Sequence, residues 1–160
     1  MGNQVIQIGE VLLKELMIID APPFKDKEEL FWYISEKFEE SGVVSDKTAF
    51  KKSLDARECL GSTYMGEYIA IPHGKCKEVI KPGVGFIRCK DSFLYHSGEE
   101  EEPVKYIFVL AIVDNQEDNS HLRVLATLAG YLARDEFQEL ISSVQSYEEL
   151  LTGINQLESD

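Results

Sequence analysis

His73 is the residue whose surroundings most suggest chemistry. It follows the apolar run Ile69-Ala70-Ile71 and Pro72, and it precedes Gly74. The strand end fixes its backbone, Pro72 restricts φ next door, and Gly74 lets another molecule approach closely. An imidazole held this way can offer a ring nitrogen as a nucleophile near neutral pH, because an unperturbed histidine titrates at about 6.5. A lone histidine at a strand end is also commonly structural, and spacing alone leaves both readings open.

His121 follows Asn119 and Ser120, either of which can cap a helix beginning there. That places His121 in a first helical turn, where unpaired N–H groups and the helix dipole favour a nearby anion. A solvent-facing residue fits the position equally well. Arg57 ends a helical segment and can hold phosphate oxygens in a two-pronged fork, or it can pair with Asp55 or Glu58. His96, in Tyr95-His96-Ser97-Gly98, reads as a surface loop residue.

Other chemistries fit less well. Gly61 and Gly66 have the spacing of the first half of a nucleotide-binding P-loop, but Glu67 and Tyr68 stand where Lys and Ser or Thr are needed. A carboxylate in place of the phosphate-binding lysine argues against ATP. His73 and Cys76 are spaced His-x-x-Cys with no matching second pair, so no metal site is expected. Cys59, Cys76 and Cys89 are odd in number and lack a C-x-x-C pair, which fits a reducing compartment rather than a disulfide framework. Nothing local singles out any of them as a nucleophile, and no cofactor is expected.

The elements that must position these residues alternate between helix and strand. Residues 9–20 run from an apolar turn (Val11, Leu12, Leu13) into a first strand at Leu16-Met17-Ile18-Ile19. Residues 26–41 place Leu30, Ile34 and Phe38 at four-residue spacing beside Phe31, an amphipathic helix ended by Gly42. Asp46 caps a second helix through Cys59, with Phe50 and Leu54 on one face. Ile69-Ala70-Ile71 reads as a short strand stopped by Pro72. Residues 83–90 and 104–113 read as two more, the second apolar enough to be central. Glu99 to Glu102 between them read as a solvated loop, since consecutive carboxylates repel. Leu122, Leu125, Leu128, Ala129 and Leu132 form one helical stripe, and Phe137, Leu140, Ile141 and Val144 another. A last helix opens with Ser146 and Glu149 in capping-box spacing, followed by Leu150, Leu151 and Ile154. No repeat or linker divides residues 1–160, so a single α/β domain with a mostly buried sheet covered by helices is expected.

Bulk composition narrows the partners. A net charge of -13 repels nucleic-acid backbones and suits a partner with a basic docking face, although it also serves solubility. The longest apolar run, Tyr106 to Val113, has the length of a buried strand and not of a membrane span, so no membrane insertion is expected. The N-terminus lacks the pattern of a secretory signal, and Ile6 occupies the place where a myristoylation motif needs Ser or Thr. A cytoplasmic location is expected.

The run Arg57-Glu58, Gly61-Ser62-Thr63, Gly66, Ile69-Ala70-Ile71-Pro72-His73-Gly74 closely resembles the signature of the fructose/mannitol-type enzyme IIA domains of the sugar phosphotransferase system (PTS). Nitrogen-regulatory IIA proteins share that type. A second element is similar too: the apolar strand 104–113, a short polar loop, then His121-Leu122 leading Leu125 and Leu128-Ala129. The resemblance covers about Val11 to Ile154. It implies a mixed β-sheet sandwiched between helices, and a phosphoryl carrier that accepts from the phosphorylated carrier protein HPr on His73. The phosphoryl group would then pass to an enzyme IIB for coupled sugar uptake, with the membrane enzyme IIC on a separate chain. It further implies that His121 is the second active-site histidine, that Arg57 helps hold the phosphoryl group, and that Thr63 supports the site by hydrogen bonding. Neither ATP nor metal is needed at this step. A regulatory output, in which phosphorylation controls partner binding, is the alternative. Glu67-Tyr68 stands where many members carry Asn-Gly, so a differently shaped loop is expected there. Tyr64 to Glu67 is similar to mannitol-type members, whereas Leu60 to Thr63 and His73 to Lys75 are similar to the nitrogen-regulatory branch, which leaves the sugar open.

Overall fold

The computed structural model describes residues 8–97, 99–115 and 120–159, with the side chains of Ser97, Ser120, His121, Glu158 and Ser159 outside that description. A single helical turn, α1 (Ile8–Val11), leads into strand β1 (Leu12–Ala21). Helix α2 (Lys27–Glu40) starts where the Asp26 carboxylate accepts the Glu29 N–H. It buries Leu30, Phe31, Ile34 and Phe38 and ends before Gly42, whose φ of 83° suits a residue without Cβ. Asp46 caps α3 (Lys47–Cys59) by accepting the N–H groups of Thr48 and Ala49. Helix α3 starts at the cap and ends at the residue expected from the sequence, and α2 lies within one residue of the expected 26–41 at each end.

Strands β2 (Tyr64–Gly66), β3 (Ile69–Ala70), β4 (His73–Cys76), β5 (Gly83–Ser97) and β6 (Glu100–Val113) follow. They pair in the order β1-β5-β6-β3-β2, with β4 also on β6. The sheet is mixed: β1 runs parallel to β5, β3 and β4 parallel to β6, while β5–β6 and β2–β3 are antiparallel. Helices α4 (Ser120–Leu132), α5 (Asp135–Ser143) and α6 (Tyr147–Ser159) close the chain, and the Ser146 hydroxyl accepts the Glu149 N–H as the capping-box spacing predicts. The proposed cap Asn119 lies outside the described residues.

Both faces of the sheet are covered. Along β6, Ile107, Val109 and Ala111 join a core with α2 and α3, while Phe108, Leu110 and Ile112 join a second core with α1 and α4–α6. A strand turns alternate side chains to opposite faces, so continuous apolarity is what a doubly covered central strand requires. Phe108 lies 4.8 Å from its strand partner Phe86 and 5.8 Å from Phe137 of α5, ring to ring, and the second contact ties α5 to the sheet by about 0.5–1.5 kcal/mol beyond area burial. Among the described residues, no helix is long and apolar enough to cross a membrane.

The acidic segment departs from expectation. Glu100, Glu101 and Glu102 are not a loop but the start of β6, opposite Ser97, His96 and Tyr95. Strand pleating sends neighbouring carboxylates to opposite faces, which relieves the repulsion that suggested a loop. His96 is likewise a strand residue, its Nδ1 3.3 Å from Glu101 Oε1 across the ladder. The first of the four, Glu99, lies in the turn.

Candidate active site

Proline does not stop the chain at His73. Ile69 pairs with Tyr106, Ala70 with Ile107 and His73 with Leu110, one unbroken register along β6. Pro72 has no N–H to donate, yet its carbonyl still accepts the Leu110 N–H at 3.1 Å. His73 therefore opens β4 instead of lying beyond a strand. Its pairing with Leu110 turns it to the α4 face, and the next residue, Gly74, pairs with Ala111 and faces α3.

Gly74 has a role different from the expected approach of a second molecule. A Cβ at Gly74 would collide with Ser53 Oγ and sit 2.9 Å from the Phe50 ring. Glycine is what lets α3 lie directly on β4, and that contact brings Arg57, one turn beyond Ser53, to the strand edge. We expect Gly74→Val to lower the unfolding free energy by about 1–3 kcal/mol through overpacking. A denaturant midpoint matching wild type would show that α3 does not rest on this residue.

Arg57 reaches His73 around that edge. Its Nε donates to His73 Nε2 at 3.1 Å, and its Nη1 donates to the Gly61 carbonyl at 2.8 Å. The other ring nitrogen, Nδ1, lies 3.0 Å from the Ile71 carbonyl. Guanidinium only donates and a carbonyl only accepts, so the neutral ring carries its proton on Nδ1 and its lone pair on Nε2. The two acids suggested as partners for Arg57 are engaged elsewhere: Asp55 with Lys51 at 2.7 Å, and Glu58 with Lys27 at 2.9 Å.

Around the ring lies a shallow depression of ≈ 330 Å³ lined by Arg57, Leu60, His73, Lys75, Leu122 and Leu125, among others. Leu60 is 85% exposed and Leu122 55%, a large apolar rim for a cleft this open. His121 is the second residue of α4, and its side chain lies outside the described residues. Its neighbours Leu122 and Leu125 line the depression, so the first turn of α4 borders the His73 cleft.

Thr63 enters the site indirectly. Its carbonyl accepts the Ile71 N–H at 2.9 Å, and Ile71 in turn holds His73. Its hydroxyl donates to Glu58 Oε1 at 2.7 Å and lies 2.7 Å from the Tyr95 hydroxyl, while its N–H donates to Glu58 Oε2 at 2.9 Å. Burial, reinforced by the Glu58 carboxylate, raises the Tyr95 phenol well above its ordinary value and keeps it a donor. The sequence reading missed Glu58, Tyr95 and Lys27 as parts of this network. Phe93 and Tyr95 are buried between exposed Ser92, Leu94 and His96, an alternation that apolar Leu94 conceals in the sequence.

The rejected chemistries look no better in three dimensions. His73 and Cys76 are three residues apart on β4 and point to opposite faces. Burial pushes the Cys89 thiol up to about 12 and raises that of Cys76, which suppresses thiolate. The Gly61–Gly66 stretch runs from helix α3 into a hairpin, whereas a P-loop joins a strand to a helix. At that hairpin, Gly66 has φ 89°, Glu67 53° and Tyr68 66°. Positive φ at both residues between the strands is what Asn-Gly favours in a two-residue turn. The backbone pattern is thus the one expected of Asn-Gly, carried by less suitable residues.

Comparison with known proteins identifies the family and the fold. Residues 10–157 match the family described as "Phosphoenolpyruvate-dependent sugar phosphotransferase system, EIIA 2". The PTS system fructose-specific EIIABC component of Bacillus subtilis (strain 168) is 31% identical over 94% of this chain, which spans 23% of that relative's length. Among solved structures, the nitrogen regulatory protein IIA-Ntr from Neisseria meningitidis superposes with a TM-score of 0.77 at 31% identity, covering 92% of this chain and 98% of that one. The mannitol enzyme IIA of Escherichia coli, solved in complex with phosphorylated mannitol enzyme IIB, gives 0.73 at 25% identity, covering 91% and 99%. This chain belongs to the EIIA 2 family of the phosphoenolpyruvate-dependent sugar phosphotransferase system.

Proposed function

We propose that residues 1–160 form one enzyme IIA domain that carries a phosphoryl group on His73 Nε2 in the cytoplasm. It accepts that group from phospho-HPr and delivers it to an enzyme IIB that works with a membrane enzyme IIC. The observation that carries the reading is the paired hold on the ring: the Ile71 carbonyl accepts the Nδ1–H and Arg57 Nε donates to the Nε2 lone pair.

Transfer is in line. The new bond from Nε2 to phosphorus forms as the donor's phosphorus–nitrogen bond breaks, and the donor nitrogen keeps that electron pair. The Nδ1 proton stays against the Ile71 carbonyl. The Arg57 guanidinium exchanges its bond to Nε2 for one to a phosphoryl oxygen. A loose transition state gathers charge on the equatorial oxygens, where positioning and positive groups do most of the work. Arg57, the N-terminal turn of α4 and His121 supply them.

The Escherichia coli complex with phosphorylated enzyme IIB supports the choice of acceptor. The donor HPr follows from the family resemblance. Incubation with enzyme I, HPr and radiolabelled phosphoenolpyruvate tests the reading; acid-labile label on this chain is expected, and an unlabelled chain would overturn it. His121→Ala should keep its circular dichroism spectrum while slowing labelling on the order of a hundredfold. Unchanged kinetics would remove His121 from the mechanism.

The likeness to the Neisseria meningitidis nitrogen regulatory protein favours a second reading, in which the phosphorylation state controls binding to a partner. Pulldowns with phosphorylated and unmodified protein separate the two, since only the regulatory reading needs a partner that distinguishes them.

A further inference from the structure

Glu58 makes no described contact with His73, yet the ring's bonds to Arg57 and to the Ile71 carbonyl both trace back to it. Its side chain is 8% exposed, a carboxylate taken out of water beside Lys27. Such a group is costly to bury unless paired and hydrogen-bonded, and here both conditions hold. Oε2 accepts from Lys27 Nζ and from the Thr63 N–H, and Oε1 accepts from the Thr63 hydroxyl. Tyr95, fully buried, sets its hydroxyl 3.2 Å from Oε1, with Lys27 Nζ 4.2 Å from its ring centre.

The effect is to clamp Thr63 to the last turn of α3 and to close the loop 60–62 between them. Two acceptors depend on that closure. The Gly61 carbonyl, inside the loop, fixes the Arg57 guanidinium that meets Nε2. The Thr63 carbonyl, at the loop's end, fixes Ile71, whose own carbonyl meets Nδ1.

We propose that Glu58 is a positioning residue for phosphoryl transfer, holding both ring nitrogens of His73 in register by clamping Thr63 onto α3. The proposal rests on the phosphoryl-carrier reading of His73. Glu58 lies beneath the loop, so it acts on the rate of transfer within the docked complex and leaves docking alone.

The test compares variants of the 160-residue chain by two readouts. One is the His73 tautomer, from ¹⁵N NMR of the unphosphorylated protein; the other is kcat and KM for labelling by phospho-HPr. Lys27→Met/Glu58→Met replaces the buried ion pair with apolar chains of similar length, an exchange that commonly leaves stability intact. It should populate both tautomers and lower kcat on the order of tenfold to a hundredfold at unchanged KM. Lys27→Met/Glu58→Gln restores an acceptor for the Thr63 N–H and should recover most of both. A Met/Met chain with wild-type tautomer and kcat would overturn the proposal, as would a Met/Gln chain no better than Met/Met. Thr63→Val deletes only the hydroxyl arm and should move both readouts less far; this keeps the question decidable should the Met/Met chain fail to fold. If the wild-type chain takes no label, the carrier reading falls, and the tautomer comparison still decides whether Glu58 sets the ring.

Discussion

We expect His73→Gln to take up no label from phospho-HPr under conditions that, on the carrier reading, load the wild-type chain fully. The glutamine amide occupies nearly the same space, and its oxygen can still accept from Arg57 Nε, so the local packing has little reason to change. Its nitrogen lone pair is delocalised into the carbonyl and cannot attack phosphorus. A mass shift of one phosphoryl group on wild type, absent from the variant, is the expected pair of spectra. A His73→Gln chain that still gains the acid-labile mass would place the acceptor elsewhere.

The second large effect falls on Arg57. Arg57→Gln should retain most of the stability, because the residue sits at the surface end of α3. It should slow single-turnover phosphorylation on the order of a hundredfold, the scale seen when one charge-stabilising donor is removed from a transition state. Arg57→Lys should recover only part of that loss. A single ammonium cannot keep the fork that spans the Gly61 carbonyl and His73 Nε2. Rates within twofold of wild type for Arg57→Gln would sink the assignment, whatever the variant does to binding of HPr.

The residues named as reactive in the sequence do meet in space where they can be seen. Arg57 and His73 are sixteen positions apart and 3.1 Å from each other. What made them legible was type and local setting: an arginine at a helix end and a histidine beside Pro72 and Gly74. Helices α3 and α6 were legible for the same reason, because Asp46 and Ser146 state where a helix starts, and α2 through the four-residue spacing of Leu30, Ile34 and Phe38. The outer half of the β5–β6 hairpin was not. Leu94 is apolar but exposed, and three glutamates form part of a strand, so hydropathy there points away from the ladder that backbone pairing imposes. Glu58 was hidden for another reason. A charged residue next to a functional arginine reads as its ion partner, and only packing reveals that the partner is Lys27.

The sheet keeps its two apolar cores apart, and the cleft straddles their boundary: Arg57 comes from the layer on one side, Leu122 and Leu125 from the layer on the other. Neither half can assemble the cleft by itself. Under the carrier reading, loading with phosphate then doubles as an inspection of the whole molecule, because a chain with either layer frayed lacks one wall of the cleft. On that reading, a damaged copy would stay uncharged and outside the relay.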